Sequence, residues 1–354
     1  MVSQAQKSVP DSEVRRVHGD AIVVDAELSG YFIAPNPVVN GKGYLQRALE
    51  GGLTAAVQTL AAGNTTFRGA LERINQCYQL VEAEPQRVMV VRTSRDIEEA
   101  KRTERIGLIF GFQDGTPLED DWPNLLPACW RLGVRVIQLT YNEQTRIGSG
   151  CLEPNDFGLT AYGRQVVGAM NRFGVMINLS HCGEKTSFDA IDLSEDPCII
   201  THANPKKLNP SPRNKSDDLI KALAAKGGII GVVAWSVIAA LKPGVPPTVD
   251  DLVTHVDYLV NLVGVDHVCL GSDINESFRV MPIPSAFETQ YSFMLTAFKG
   301  RAAATLDRFS AVDEYPNFTR ALLARGYSEA DVKKILGSNF MRLARAIWDK
   351  RPPQ

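Results

Sequence analysis

No CxxC pair occurs among the six cysteines, Cys77, Cys129, Cys151, Cys182, Cys198 and Cys269. Thiols this scattered in a chain of 354 residues exclude a disulfide framework and read as reduced core or near-site groups. An excess of one charge is missing too: 38 Lys and Arg stand against 40 Asp and Glu, for a net charge of -2. A chain so balanced lacks the basic surplus that a phosphate-backbone binder needs, so nucleic acid is not an expected partner. No apolar run approaches the ~18 residues of a membrane span. The opening MVSQAQKSVPDSEVRRV has no apolar leader stretch, and the closing IWDKRPPQ has no lipidation signal. Together these absences predict a cytoplasmic protein without membrane contact. What is present, 44% hydrophobic and 22% charged residues, is globular composition with enough length for a large core, which excludes disordered and fibrous classes.

Short apolar runs rich in Val and Ile alternate with amphipathic stretches along the whole chain. The runs are 21–25, 53–59, 106–112, 136–141, 175–180, 198–202, 229–234 and 267–273. Nearly continuous apolar character over so few residues is what strands buried on both faces require, and it points to parallel pairing. Helical patterns fall between them at 67–84, 125–132, 163–173, 185–193, 216–226 and 249–263. Eight strands separated by helices predict an α/β fold, a (β/α)8 TIM barrel. A doubly wound sheet would share this rhythm, but the polar residues favour the barrel. Gln113, Tyr141, His181, His202 and Asp273 all fall at or just past the C-terminal end of a predicted strand, where a barrel builds its active site. The chain reads as one domain, 1–354. Residues 278–310 are expected to form a lid or dimer contact, and 315–350 C-terminal helices, one of them capped by Ser328.

Only five histidines are available, and two of them, His181 in NLSH and His202 in IITHAN, each end an apolar run. Imidazoles on neighbouring strands can converge on one Zn²⁺, although two hydrogen-bonded core histidines would leave the same trace. His18 in a polar leader, His255 mid-helix and His267 ahead of a strand read as structural. Asp273, closing VCLGSD, can ligate a metal, hold an ammonium or act as a general base. Arg213, on the turn NPSPRN, suits a bidentate clamp on a substrate carboxylate.

The run GLTAYGRQVVGAMNRFGVMINLSHCGEKTSFDAI, followed by IITHANPKKLNPSPRN, GGIIGVV and GVDHVCLGSD, resembles the membrane (renal) dipeptidase family, peptidase family M19. The likeness runs from about Val23 to the tail. It implies a barrel of the metal-dependent hydrolase type that holds two zinc ions, cleaves dipeptides and forms dimers. By that resemblance His181 and His202 bind one zinc, Arg213 holds the substrate carboxylate, and Asp273 moves protons.

The chain departs from the family pattern at the other metal. Where the first strand of the family ends Asp-Gly-His-Asn-Asp, this chain reads Asp25-Ala26-Glu27-Leu28-Ser29. Gln113 replaces the bridging glutamate, and Tyr141 stands where the family has a further histidine. A neutral amide cannot offset the repulsion between two dications. The expectation is therefore one ion on His181 and His202, with Glu27, Gln113 or Asp273 completing its shell. Tyr141 is expected to steady an oxyanion, Glu27 to serve as ligand or base, and Asn204 and Trp235 to line the substrate side. Asp114 and Asn178 are weaker candidates for the same mouth, and Cys182 is expected to pack. The expected function is hydrolysis of a dipeptide or small carboxylate-bearing amide by a homodimer. A lyase, decarboxylase or tautomerase, or a non-catalytic binding protein, is the alternative.

Overall fold

The computed structural model describes residues 8–29, 32–33, 38–242, 245–276 and 306–350. Its strands are β1 Val24–Leu28, β2 Ala55–Ala61, β3 Val88–Val90, β4 Ile106–Phe112, β5 Val134–Gln138, β6 Met176–Asn178, β7 Ile199–Ile200, β8 Ile229–Val232 and β9 Val268–Leu270. Eight of them follow one another as β1-β2-β4-β5-β6-β7-β8-β9, each paired in parallel with the next. Helices return the chain between them, so the fold is the expected (β/α)8 barrel. Each predicted run overlaps one barrel strand. The strand that the sequence reading missed is β3, three residues beside Ile106–Leu108 on the same edge of β4 that β5 takes over further along.

β9 and β1 close the cylinder. The Asp273 N–H donates to the Glu27 carbonyl at 2.9 Å, and the Ser272 N–H donates to Asp25 Oδ1 at 2.8 Å. Asp25 also accepts from the hydroxyls of Ser272 and Tyr315. Burial pushes this carboxyl up to about 6, against the hydrogen bonds that favour its charge.

Side-chain alternation divides the interior into layers. Val57, Ile109, Val136, Met176, Ile199, Ile229 and Cys269 form one buried cluster, closed below by Phe340, Leu343, Ile347 and Trp348 of the helix Asn339–Trp348. Two residues further along β2, β5, β6 and past β7, the same face presents Thr59, Gln138, Asn178 and Thr201, all buried. The barrel is thus an apolar plug topped by a polar layer.

Two further features bear on the ends of the chain. His18, read as structural, lies buried on the helix Asp11–Asp20, where it bridges Thr319 Oγ1 at 2.7 Å and the Gly51 carbonyl at 2.9 Å. Arg47, buried in the helix Tyr44–Glu50, holds Glu276 through two nitrogens at 3.0 and 2.5 Å and Asp313 at 3.1 Å. Ser328 caps Glu329–Lys333 as expected, accepting from the Asp331 N–H. The proposed lid or dimer contact at 278–310 falls almost wholly outside the described residues. Among the described residues no helix is long and apolar enough to cross a membrane.

Candidate active site

His181 and His202 follow β6 and β7, and the parallel pairing of those strands sets their rings side by side. Their Nε2 atoms face each other at 3.0 Å, with both side chains buried. His181 Nδ1 lies 2.7 Å from Asn142 Oδ1, and His202 Nδ1 lies 2.8 Å from Thr201 Oγ1. Burial, then the charge of Arg213, holds both imidazoles well below the usual histidine range, so they are neutral. The Tyr141 ring stacks on His181, centroids 4.1 Å apart and planes 17° from parallel.

Arg213 is buried beneath this pair. Its two terminal nitrogens donate to the carbonyls of Ser180 at 2.5 Å and His202 at 3.1 Å, bracing the two strand ends that carry the histidines. Nε of Arg213 is buried with no hydrogen-bond partner among the described residues. Lys215, two residues on, is buried as well and donates to the Cys182 carbonyl at 2.8 Å. Burial lowers its pKa to about 8. No signal in the sequence separated Lys215 from a surface lysine on the same turn.

Asp273 follows β9 with φ 53°, a left-handed conformation that a residue other than glycine adopts at a cost. It accepts from the Ser29 hydroxyl, and burial pushes its carboxyl up to about 6. Ser29, at the position of the family's aspartate, is thereby a donor to a carboxylate.

The remaining candidates form a belt across the polar layer. Thr59 Oγ1 donates to Glu27 Oε1 at 2.5 Å, and Gln113 Nε2 donates to Thr59 Oγ1 at 3.0 Å. Gln138 Nε2 donates to the Gln113 carbonyl at 2.5 Å, while Asn178 Nδ2 donates to Gln138 Oε1 at 3.2 Å and to Thr201 Oγ1 at 2.8 Å. Thr201 Oγ1 returns to Glu27 Oε2 at 3.2 Å, which closes the ring. A register shift in β1 between Asp25 and Leu28 brings Glu27 into this layer. Burial, with a smaller contribution from the charge of Asp273, pushes its carboxyl up to about 8 against the Thr59 hydrogen bond.

This geometry revises three expectations. Glu27 does not complete a shell around the two Nε2 atoms, because its carboxylate lies on the far side of His202, 3.6 Å from Nδ1. Gln113 turns its amide nitrogen to Thr59 within the belt. Asn204 does not face substrate: its amide donates to the carbonyls of Val233 and Ile238 and accepts from the Val233 N–H, which ties the loops after β7 and β8 together. Asp114 similarly accepts from the backbone of Asn64 and Thr116. Trp235 is buried just past β8, and Cys182 packs in the core as expected.

Among the described residues no three His, Cys, Asp or Glu side chains converge as a metal cage. The donor set nevertheless fits one ion. A tetrahedral metal at about 2.0–2.1 Å from each imidazole places two ligand nitrogens about 3.3 Å apart, close to the observed spacing. Glu27, Ser29 and Gln113, at the positions where the family places ligands of the other metal, each take part in hydrogen bonds within the wall.

The pattern of the membrane dipeptidase family, peptidase family M19, matches residues 41–283 and 296–351. A solved amidohydrolase from Pseudomonas aeruginosa is 31% identical, with a TM-score of 0.82 over 95% of this chain and 99% of its own. The dipeptidase verJ of Clonostachys rogersoniana is 27% identical over 284 residues, 80% of this chain and 66% of the relative. The dipeptidase tcpJ of Claviceps purpurea is 29% identical over 293 residues, 82% of this chain and 62% of the relative. The chain thus spans less than two thirds of the length of either fungal relative. With the match of pattern and of barrel together, the chain belongs to the membrane dipeptidase family, peptidase family M19.

Proposed function

We propose that this protein is a metal-dependent hydrolase that cleaves a dipeptide or a small carboxylate-bearing amide with a single zinc ion. The observation that carries this reading is the facing pair of Nε2 atoms at 3.0 Å, on strand ends braced by a buried guanidinium. His181 and His202 would hold the ion, which when bound acidifies water and polarises the scissile carbonyl. Asp273, held by Ser29 on a strained backbone, accepts the proton of the attacking water and delivers it to the leaving nitrogen. Arg213 offers its buried Nε–H to the substrate carboxylate while its other nitrogens keep the strand ends in place. Tyr141, stacked on His181, would steady the tetrahedral oxyanion through its hydroxyl.

Purified protein is expected to carry one zinc ion per chain, to release amino acids from a dipeptide panel and to lose that activity to a chelator. Turnover that survives a metal-free, chelated preparation overturns the reading. A second reading rests on the split between Glu27, pushed up to about 8, and Asp273, near 6, which is the pattern of an acid/base pair. A lyase, decarboxylase or tautomerase would use it. Proton exchange or CO₂ release from a carboxylate substrate, without hydrolysis anywhere in the dipeptide panel, would favour that chemistry.

A further inference from the structure

Asp273 stands midway along a short connection, residues 271–276 after β9, whose two ends are both held. At the near end Ser272 meets Asp25 through its N–H at 2.8 Å and through its hydroxyl, which also accepts from the Ile274 N–H at 3.2 Å. At the far end the Glu276 carboxylate accepts from both terminal nitrogens of Arg47, at 3.0 and 2.5 Å, and from the Val312 N–H at 2.9 Å. Both anchors lead to one piece of chain. Val312 donates to Glu276, and Tyr315, three residues on, donates its hydroxyl to Asp25. The helix that carries Arg47 is pressed against the same piece: it ends at Gly51, where a Cβ would overlap the Val312 carbonyl oxygen.

A buried ion pair is a poor way to gain stability, because taking two charges out of water offsets most of their attraction. A guanidinium fork closed on a carboxylate does fix direction as well as distance. The residue between the anchors needs such fixing. Asp273 has φ 53°, and a residue other than glycine keeps that conformation only where its surroundings over-determine it. We infer that Arg47 and Glu276 are positioning residues for Asp273. Their buried pair, working against the Asp25–Ser272 anchor, keeps the connection in its left-handed form and so keeps the Asp273 carboxylate at the Ser29 hydroxyl.

The inference rests on Asp273 as the base of the proposed hydrolase, and the test separates the two. Arg47→Met combined with Glu276→Gln removes both charges of the pair and keeps an oxygen for the Val312 N–H. Asp313, 42% exposed, has water in place of Arg47. On the full chain, assayed with the dipeptide of the panel that is turned over fastest, the double variant is expected to lower kcat about 10–100-fold with KM within a few-fold of the wild type. Arg47→Lys keeps the charge without the fork and should retain more of kcat than Arg47→Met. In an Asp273→Asn background the double change should cost little more, as expected for residues that act through one another. Hydrogen exchange on the full chain, read by mass spectrometry, does not depend on turnover. The N–H groups of Ser272, Asp273 and Ile274 should lose protection in the double variant while Ile106–Phe112 keeps its own. Should the double variant misfold by circular dichroism, Arg47→Lys and Glu276→Gln carry the same comparison. Wild-type kcat or wild-type exchange at 271–276 makes the pair a structural prop and overturns the inference, as does a fall in kcat that only matches a fall in folded protein. If Asp273→Asn turns over substrate like the wild type, the base assignment is wrong, and exchange at 271–276 alone decides whether Arg47 and Glu276 hold the connection.

Discussion

The two sides of the barrel mouth solve opposite problems with the same kind of strand end. On β6 and β7 the chain keeps two imidazoles free to meet, and it uses a guanidinium to hold their backbones. On β1, β2 and β4 the corresponding positions are Glu27, Thr59 and Gln113, whose polar atoms satisfy one another. The difference shows two ways to finish a buried strand end. On this side the polar groups satisfy one another in a hydrogen-bonded belt, which a buried layer needs if they are not to be stranded.

Exchanging the belt for ligands is the largest effect to look for. The triple change Glu27→His, Ser29→Asp and Gln113→Glu rebuilds the ligand set that the family resemblance implies, and metal analysis should then count two ions per chain where one is proposed for the wild type. Next comes Asp273→Asn, expected to lower kcat about 10²–10⁴-fold, with KM nearly unchanged. The base must be deprotonated to work, and burial raises its pKa to about 6. Wild-type activity should therefore fall as pH drops through about 6, and the residual activity of the variant should lack that limb.

Smaller effects test the belt and the wall. Asn178→Leu removes the acceptor for two backbone N–H groups, so unfolding should show a loss of roughly 1–3 kcal/mol. Lys215 gives the smallest and most specific signal. Its pKa is about 8 when folded, against 10.5 for an ordinary lysine, so between these values the unfolded chain binds more protons. Stability should rise with pH across that window, and Lys215→Met should flatten the rise in a series of urea titrations.

The barrel was legible because its signal is local. A run such as Ile106–Phe112, buried at every position, declares a two-faced strand without reference to anything else. β3 was not legible, since three residues with no turn chemistry of their own become a strand only because β4 has a vacant edge there. The paired histidines announced themselves by scarcity and by ending apolar runs. Their supports did not: Thr201 and Asn142 are ordinary neutral residues, and the carboxylate that Thr201 answers to is 174 positions away. Asn204 misled because a polar residue just past a strand suits a ligand site and a loop brace equally well.

The Arg47 clamp has a consequence for how the gene can change. One buried guanidinium grips Glu276 and Asp313, two carboxylates 37 positions apart. A change at Arg47 would release both at once and leave the carboxylate of Glu276 buried without its cation, so that codon is free to drift only together with its partners.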